Sequence, residues 1–387
     1  MFATNNLYRS HFVQTHFDTV VIGAGQAGLA TGYHLRRSGL TYTLLEASDS
    51  LGGSWSRYYD SLTLFSPARY SALPGQPFPG DPDRYPTRDE VVAYLRSYAE
   101  HFALPVMTSS AVTAVTHADG GFQISLANGG ALTARSVIAA TGSFNDPHIP
   151  QLPSQARFQG QILHSGDYQH PAALLGKRIV VVGAGNSAVQ IAVELAQVAD
   201  VTLATRAPVK FIPQRLLGQD FHFWARVTGL DRSNLVSDVS TPVLDTGRYR
   251  RALKAGKPAR RPMFRAFTEA GVRWADGQEE AIDVVIFATG YRSQLPYLAQ
   301  LSAIDAAGQL LQRNGIGTKQ PGLYFVGHSK QRNVASATLR GVGPDAAIVV
   351  RHLQRQLAHN RAGTTRSGRS TWLARVCATW CRQANAR

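Results

Sequence analysis

Two glycine-rich turns, each set between a β-branched run and a helix-like stretch, constrain this chain more than any other feature. Residues 19–28 read TVVIGAGQAG and residues 178–188 read RIVVVGAGNSA. Uninterrupted apolar runs of this length suit strands buried on both faces, as in parallel sheets. The spacing predicts a helix over 26–38, ended by Gly39, and a second over 186–197. Each is followed by another strand, 41–46 (TYTLLE) and 200–205 (DVTLAT). Two βαβ units therefore lie about 160 residues apart. The expected fold class is α/β, with two Rossmann-like, doubly wound domains.

The glycines carry the first functional reading. Gly23, Gly25 and Gly28 form GxGxxG between strand and helix. The first allows the tight turn, the second lets a pyrophosphate approach the backbone, and the third lets helix and strand pack closely. Gln26 and Ala27 open the helix, whose free N–H groups and positive dipole end suit phosphates. Glu46 closes the next strand, where a carboxylate can accept both ribose hydroxyls. Gly183, Gly185 and Ala188 form a second fingerprint, with Asn186 and Ser187 at its helix start. Its second strand ends at Arg206 rather than at an acid, which favours a 2′-phosphate and hence NADPH over NADH.

Further segments fit around these units. Gly52 and Gly53 follow the first unit and let the backbone wrap a cofactor, while Trp55 covers an aromatic ring or fills the core. Residues 136–142 and 283–290 both end in Ala-Thr-Gly, so Thr141, Gly142, Thr289 and Gly290 leave the sheet beside a nucleotide. Residues 322–327 (GLYFVG) read as another strand ending at Gly327, and 335–341 as the start of a helix aimed at a flavin ring. Residues 65–86 read as a long ordered loop, 89–102 as a helix, and 111–136 as an antiparallel patch turning at Asn128-Gly129-Gly130. The expected division is an extension at 1–17, a first dinucleotide-binding domain at 18–155 with 288–357, a second at 156–287, and a basic tail at 358–387.

Net charge offers a different reading. Forty Lys and Arg against 25 Asp and Glu leave +15, which invites a nucleic-acid or membrane-surface binder on a redox fold. The charge is local, however. Residues 246–266 hold eight cations and no acid, and so do the residues after Asp345; the remainder balances at 24 − 25 = −1. No specific nucleic acid is expected. The basic segment at 246–266 reads as a loop that attracts an anionic cofactor or is merely solvated. In the tail, Trp372, Val376 and Trp380 recur every four residues, offering peripheral membrane contact or docking on the protein's own surface. No apolar run reaches the roughly 20 residues of a spanning helix. The only cysteines, Cys377 and Cys381, exclude a disulfide scaffold and suit a cytoplasmic protein.

With these residues in view, the chain resembles the class B flavoprotein monooxygenases over residues 18–356. The discriminating motif FxGxxxHxxxY is present as Phe158, Gly160, His164 and Tyr168, between the two nucleotide units. Residues 287–291 (FATGY) resemble the family's second signature. Tyr168 stands where Baeyer–Villiger enzymes carry Trp, and Gln169 where flavin-containing monooxygenases usually carry Lys or Pro. The length resembles a short bacterial member. The stretch 211–220, with His222 and Trp224 behind it, resembles bacterial enzymes of this kind, some associated with arsenic resistance.

The resemblance implies FAD on Gly23, Gly25, Gly28 and Glu46, and NADPH on Gly183, Gly185, Ala188 and Arg206, which makes 18–155 with 288–357 the FAD-binding domain and 156–287 the NADPH-binding domain. It implies hydride transfer to FAD, addition of dioxygen as a peroxyflavin, and transfer of one oxygen atom to a small-molecule soft nucleophile (S, N, Se or trivalent As). The cofactor then carries the chemistry, which fits the lack of a metal-spaced cluster or a Ser-His-Asp set. His164 stands either as a catalytic acid–base group or as a linker residue that couples the domains. A disulfide reductase of the same architecture needs a Cys-x-x-Cys that this chain lacks. An NADPH-dependent flavin reductase or oxidase without oxygenation is the remaining alternative.

Overall fold

A computed structural model describes residues 15–233, 242–306, 308–329 and 331–359. The tail motif at Trp372, Val376 and Trp380 lies outside them. Among the described residues, the larger sheet has nine strands. Its parallel core runs in the order Val106–Met107, Tyr42–Leu45, His16–Ile22, Ala131–Ala139, Leu323–Phe325. Helix Gln26–Leu35 connects the first two strands of the chain. The long strand Ala131–Ala139 also pairs antiparallel with Gly121–Leu126, which pairs with Val112–Ala118. This is the small patch expected at 111–136.

The second sheet is wholly parallel, in the order Ala259–Pro262, Asp200–Thr205, Arg178–Val182, Val284–Phe287, Gln161–His164. Its connecting helix is Asn186–Leu195. Both sheets are buried on both faces, which is why their strands read as continuous apolar runs. Val21 and Leu44 pack in one core, while Val20, Ile22 and Leu45 pack in another. Val181 and Ile179 likewise part from Val180 and Val182. The period of two is hidden because both phases are apolar.

Two sequence expectations need correction. Residues 246–266 are not a loop: they hold helix Arg248–Lys254 and strand Ala259–Pro262, in parallel register with Asp200–Thr205. This strand lies at an edge, where charge is tolerated. Its arginines are used in polar contacts instead of an apolar pattern. Arg260 donates to Thr205 Oγ1 at 3.0 Å, and Arg261 pairs with Asp276 and lies over the Trp274 ring. The helix expected from 335 begins at 339 and runs to 359; residues 335–338 form the turn that leads into it.

Candidate active site

The first fingerprint is shaped by close backbone approaches. Gly23 has φ +99°, and a Cβ there would lie 2.8 Å from the Ala140 carbonyl oxygen. A Cβ at Gly28 would lie 1.9 Å from the Gly23 oxygen, so helix and turn meet with no space left. Gly25 differs, since its nearest obstruction would be Gly53 Cα at 3.9 Å. Gly25 is the N-cap of its helix and offers no side-chain cap. Gly53 packs onto it, since a Cβ at Gly53 would lie 2.9 Å from Gly25 Cα, so the uncapped first-turn N–H groups lie beside the second glycine turn. Glu46 is buried and accepts from Ala24 N at 3.0 Å and from Ser48 N at 3.1 Å, which fixes its carboxylate at the strand end.

Gln26 joins three segments. Its Oε1 accepts from Trp55 Nε1 at 2.7 Å, and its Nε2 donates to the Ala337 carbonyl at 2.7 Å. The Gly53–Trp55 turn and the 335–338 turn are thereby fixed at the mouth of the first fingerprint. Gly327 sits against the same helix, where a Cβ would come within 2.5 Å of Ala27 Cβ. Beyond it, His328 Nε2 and Gln331 Nε2 are buried without a partner.

The second fingerprint repeats the plan. A Cβ at Gly183 would lie 2.5 Å from the Ala288 carbonyl, while one at Gly185 would meet nothing within 4 Å. Gly185 is again an N-cap without a side-chain cap. Asn186 Oδ1 is buried and unpartnered at this mouth. Ser187 and Arg206 are exposed, and Arg206 directly follows strand Asp200–Thr205. Ala188 is buried and supplies the Cβ that Gly183 itself leaves room for.

Both Ala-Thr-Gly segments thus press an alanine carbonyl against the first glycine of a fingerprint. Gly142 and Gly290 have φ +75° and +81° and open space around them. Thr141 Oγ1 and Tyr297 OH lie 3.0 Å apart, and Thr289 Oγ1 donates to the His148 carbonyl.

His164 lies at the end of strand Gln161–His164 and is almost wholly buried. Its Nδ1 accepts from Gly166 N at 3.1 Å, so Nε2 carries the proton and donates to the Gly290 carbonyl at 2.9 Å. Burial pushes the imidazole below its ordinary range, against the Gly290 bond. Elsewhere in the motif, a Cβ at Gly160 would collide with the Phe158 ring and the Asp283 carbonyl. Tyr168 OH donates to Glu194 Oε2 at 2.8 Å, anchoring helix Asn186–Leu195. The motif fastens the Gln161–His164 strand to both the second helix and the second Ala-Thr-Gly turn.

One buried cluster was only partly visible in sequence. Asp220 Oδ1 lies 2.7 Å from His222 Nδ1, and Asp220 Oδ2 accepts from Tyr85 OH at 2.6 Å and from Gln214 Nε2 at 2.9 Å. Gln214 also donates to the Phe65 carbonyl. Burial raises the Asp220 pKa, but the His222, Tyr85 and Gln214 bonds outweigh it and hold the carboxyl below its ordinary value. Nothing in the spacing of Tyr85 and Asp220, 135 positions apart, signals the contact.

The fit to a pair of dinucleotides rests on N-capping glycines without side-chain caps at both fingerprints and on the orphaned, buried Asn186 Oδ1 at the second. Among the described residues, no group of His, Cys, Asp and Glu could hold a metal ion, and no helix is long and apolar enough to cross a membrane.

Comparison with known proteins agrees with this geometry. Residues 20–216 match the family model described as pyridine nucleotide-disulphide oxidoreductase. An uncharacterized CzcO-like oxidoreductase of Geobacillus kaustophilus is 33% identical, over 86% of this chain and 97% of that protein. Indole-3-pyruvate monooxygenase YUCCA4 of Oryza sativa is 32% identical, covering 87% of each. A solved flavin-containing monooxygenase from Stenotrophomonas maltophilia is 36% identical, with a TM-score of 0.79 over 88% of this chain and 99% of that one. The family model's description names disulphide chemistry, but this chain has no Cys-x-x-Cys. The chain belongs to the flavin monooxygenase family of oxidoreductases, whose cofactors are FAD and NADPH.

Proposed function

We propose that this flavin monooxygenase draws its electrons from NADPH and transfers one oxygen atom to a soft nucleophile of a small molecule: sulfur, nitrogen, selenium or trivalent arsenic. The observation that carries the reading is the repeated glycine turn with an N-capping glycine that has no side-chain cap, each turn braced by an Ala-Thr-Gly carbonyl, with an acid ending one unit and Arg206 the other. In this reading residues 18–155 with 288–357 bind FAD, and residues 156–287 bind NADPH.

Gly25, Gln26, Ala27 and Gly53 hold the FAD pyrophosphate, and Glu46 its ribose. Gly185, Asn186, Ser187 and Arg206 hold the second nucleotide. A bound flavin supplies hydride acceptance from the nicotinamide and activation of dioxygen. The chain's own residues bind and orient. Gln26 holds the Trp55 indole and the 335–338 turn in place. Both His164 ring nitrogens are taken by backbone groups, so His164 acts as a positioning residue for the Gly290 turn rather than as a proton donor. Placement in the cytoplasm accords with the cysteine usage.

The test is to purify the protein, record its flavin spectrum, and follow NADPH and NADH oxidation with thiols, amines and trivalent arsenicals. The reading expects bound flavin, a preference for NADPH that Arg206→Gln lowers about tenfold or more, and an oxygenated product seen by mass spectrometry. NADPH consumption that yields only peroxide with every substrate would favour the reductase or oxidase reading.

A further inference from the structure

Half of the large apolar side chains exposed among the described residues fall within fifteen positions. They are Leu216, Leu217, Val227 and Leu230, with Leu217 83% exposed, Val227 64% and Leu216 56%. Strands Arg215–Leu216 and Gln219–Asp220 form an antiparallel hairpin whose turn is Leu217-Gly218. Both turn residues have positive φ, +51° and +75°. Such turns favour Asn-Gly, because a non-glycine residue in the left-handed region is strained and Asn tolerates it best. Here a leucine takes that position and points an apolar side chain into solvent at the hairpin tip.

Helix Phe221–Val227 follows at once, capped by the Asp220 side chain. Its Trp224 indole N–H donates to the Leu216 carbonyl at 3.0 Å, tying the helix to the tip. Trp suits a boundary between water and an apolar phase. The flanking charges have one sign. Arg215 and Arg226 are exposed, whereas the two acids of residues 211–231 are withdrawn: Asp220 is buried and Asp231 faces Arg340 at 3.9 Å.

We propose that this hairpin and helix form a docking surface for an anionic lipid bilayer, with Leu216, Leu217 and Val227 entering the interface and Arg215 and Arg226 meeting the headgroups. An apolar tip flanked by two exposed arginines is the chemistry such a surface recognises. A second copy of this chain is the poorer occupant, because it would bring the like-charged Arg215 and Arg226 rims together.

The test uses the full chain and vesicles of phosphatidylcholine alone or mixed with phosphatidylglycerol, read by co-sedimentation. The wild type should bind the mixed vesicles, less so at high salt. Leu217→Asn relieves the turn while removing the tip. Combined with Val227→Ser, it should weaken partitioning about tenfold or more, with no loss of thermal midpoint or of NADPH oxidation. Three outcomes overturn the proposal. The wild type fails to bind the mixed vesicles. The double variant binds as well as the wild type, in which case cations elsewhere do the binding. Or sedimentation velocity shows a dimer that Leu217→Asn dissociates, which assigns the tip to a second copy.

Discussion

Gly25 and Gly28 lie three positions apart and tolerate a methyl group very differently. A Cβ at Gly28 would overlap the Gly23 oxygen, while at Gly25 it would make only an ordinary contact with Gly53 Cα, 3.9 Å away. Gly28→Ala should therefore lower stability by several kcal/mol, on the order of other overpacked sites. Gly25→Ala should leave the cofactor-free melting temperature nearly unchanged yet reduce retained flavin. Thermal melts and the flavin-to-protein absorbance ratio separate the two. The close packing expected of Gly28 is what the structure shows, but the sequence did not reveal what each first glycine meets. The Ala140 and Ala288 carbonyls lie more than a hundred residues away from the turns they brace. His328 was also missed, since a lone His after Gly327 carries no pattern. Burial pushes its imidazole down to about 4. Between about pH 6.5 and pH 4 the unfolded chain thus binds a proton that the folded chain refuses. Stability should fall across that window as pH falls, by roughly 3 kcal/mol from this group. Denaturant melts at several pH values should show a flatter profile for His328→Asn.

Among the elements, those with strong local signals were legible and those supported by neighbours were not. Helix Arg88–His101 was found within a residue from its periodicity. It begins with a full capping box in which Thr87 accepts from Glu90 N and Glu90 accepts from Thr87 N. This helix bears on the site, because a Cβ at Gly52 would lie 3.1 Å from Val92 on its inner face. The Gly52-Gly53 turn therefore rests on the helix. Thr87→Ala should cost about 1 kcal/mol and weaken flavin retention in proportion, checked by denaturant titration with and without added FAD. Strand Ala259–Pro262 was invisible for the opposite reason. Its four residues, ARRP, have no apolar alternation, and only pairing with Asp200–Thr205 makes them a strand.

At the scale of the whole molecule, the two sheets are joined by polar contacts that cross between distant segments. Tyr59 OH donates to Gln190 Oε1 at 2.6 Å, Asp60 N to the Gln169 carbonyl at 2.9 Å, and Gln169 Nε2 to the Arg57 carbonyl at 2.8 Å. Gln214 and Asp220 likewise hold Phe65 and Tyr85 of the long 65–86 loop. These contacts are reinforced by packing, since Tyr59 is buried in the core around Ile179, Val181 and Ile191, and Leu62 packs against the cores of both sheets. Tyr85→Phe removes one charge-assisted bond and leaves Asp220 with His222 and Gln214, so the global cost should be only about 1.5 kcal/mol. Hydrogen exchange should rise together in 61–86 and 211–231, far more than in the strands at 19–22 and 179–182. If oxygen transfer requires the halves to close and exclude water, the same variant should oxidise NADPH at a near-normal rate while releasing more peroxide per NADPH consumed. Faster exchange confined to 61–86 would instead mean that the Tyr85–Asp220 bond secures the loop alone and does not join the halves.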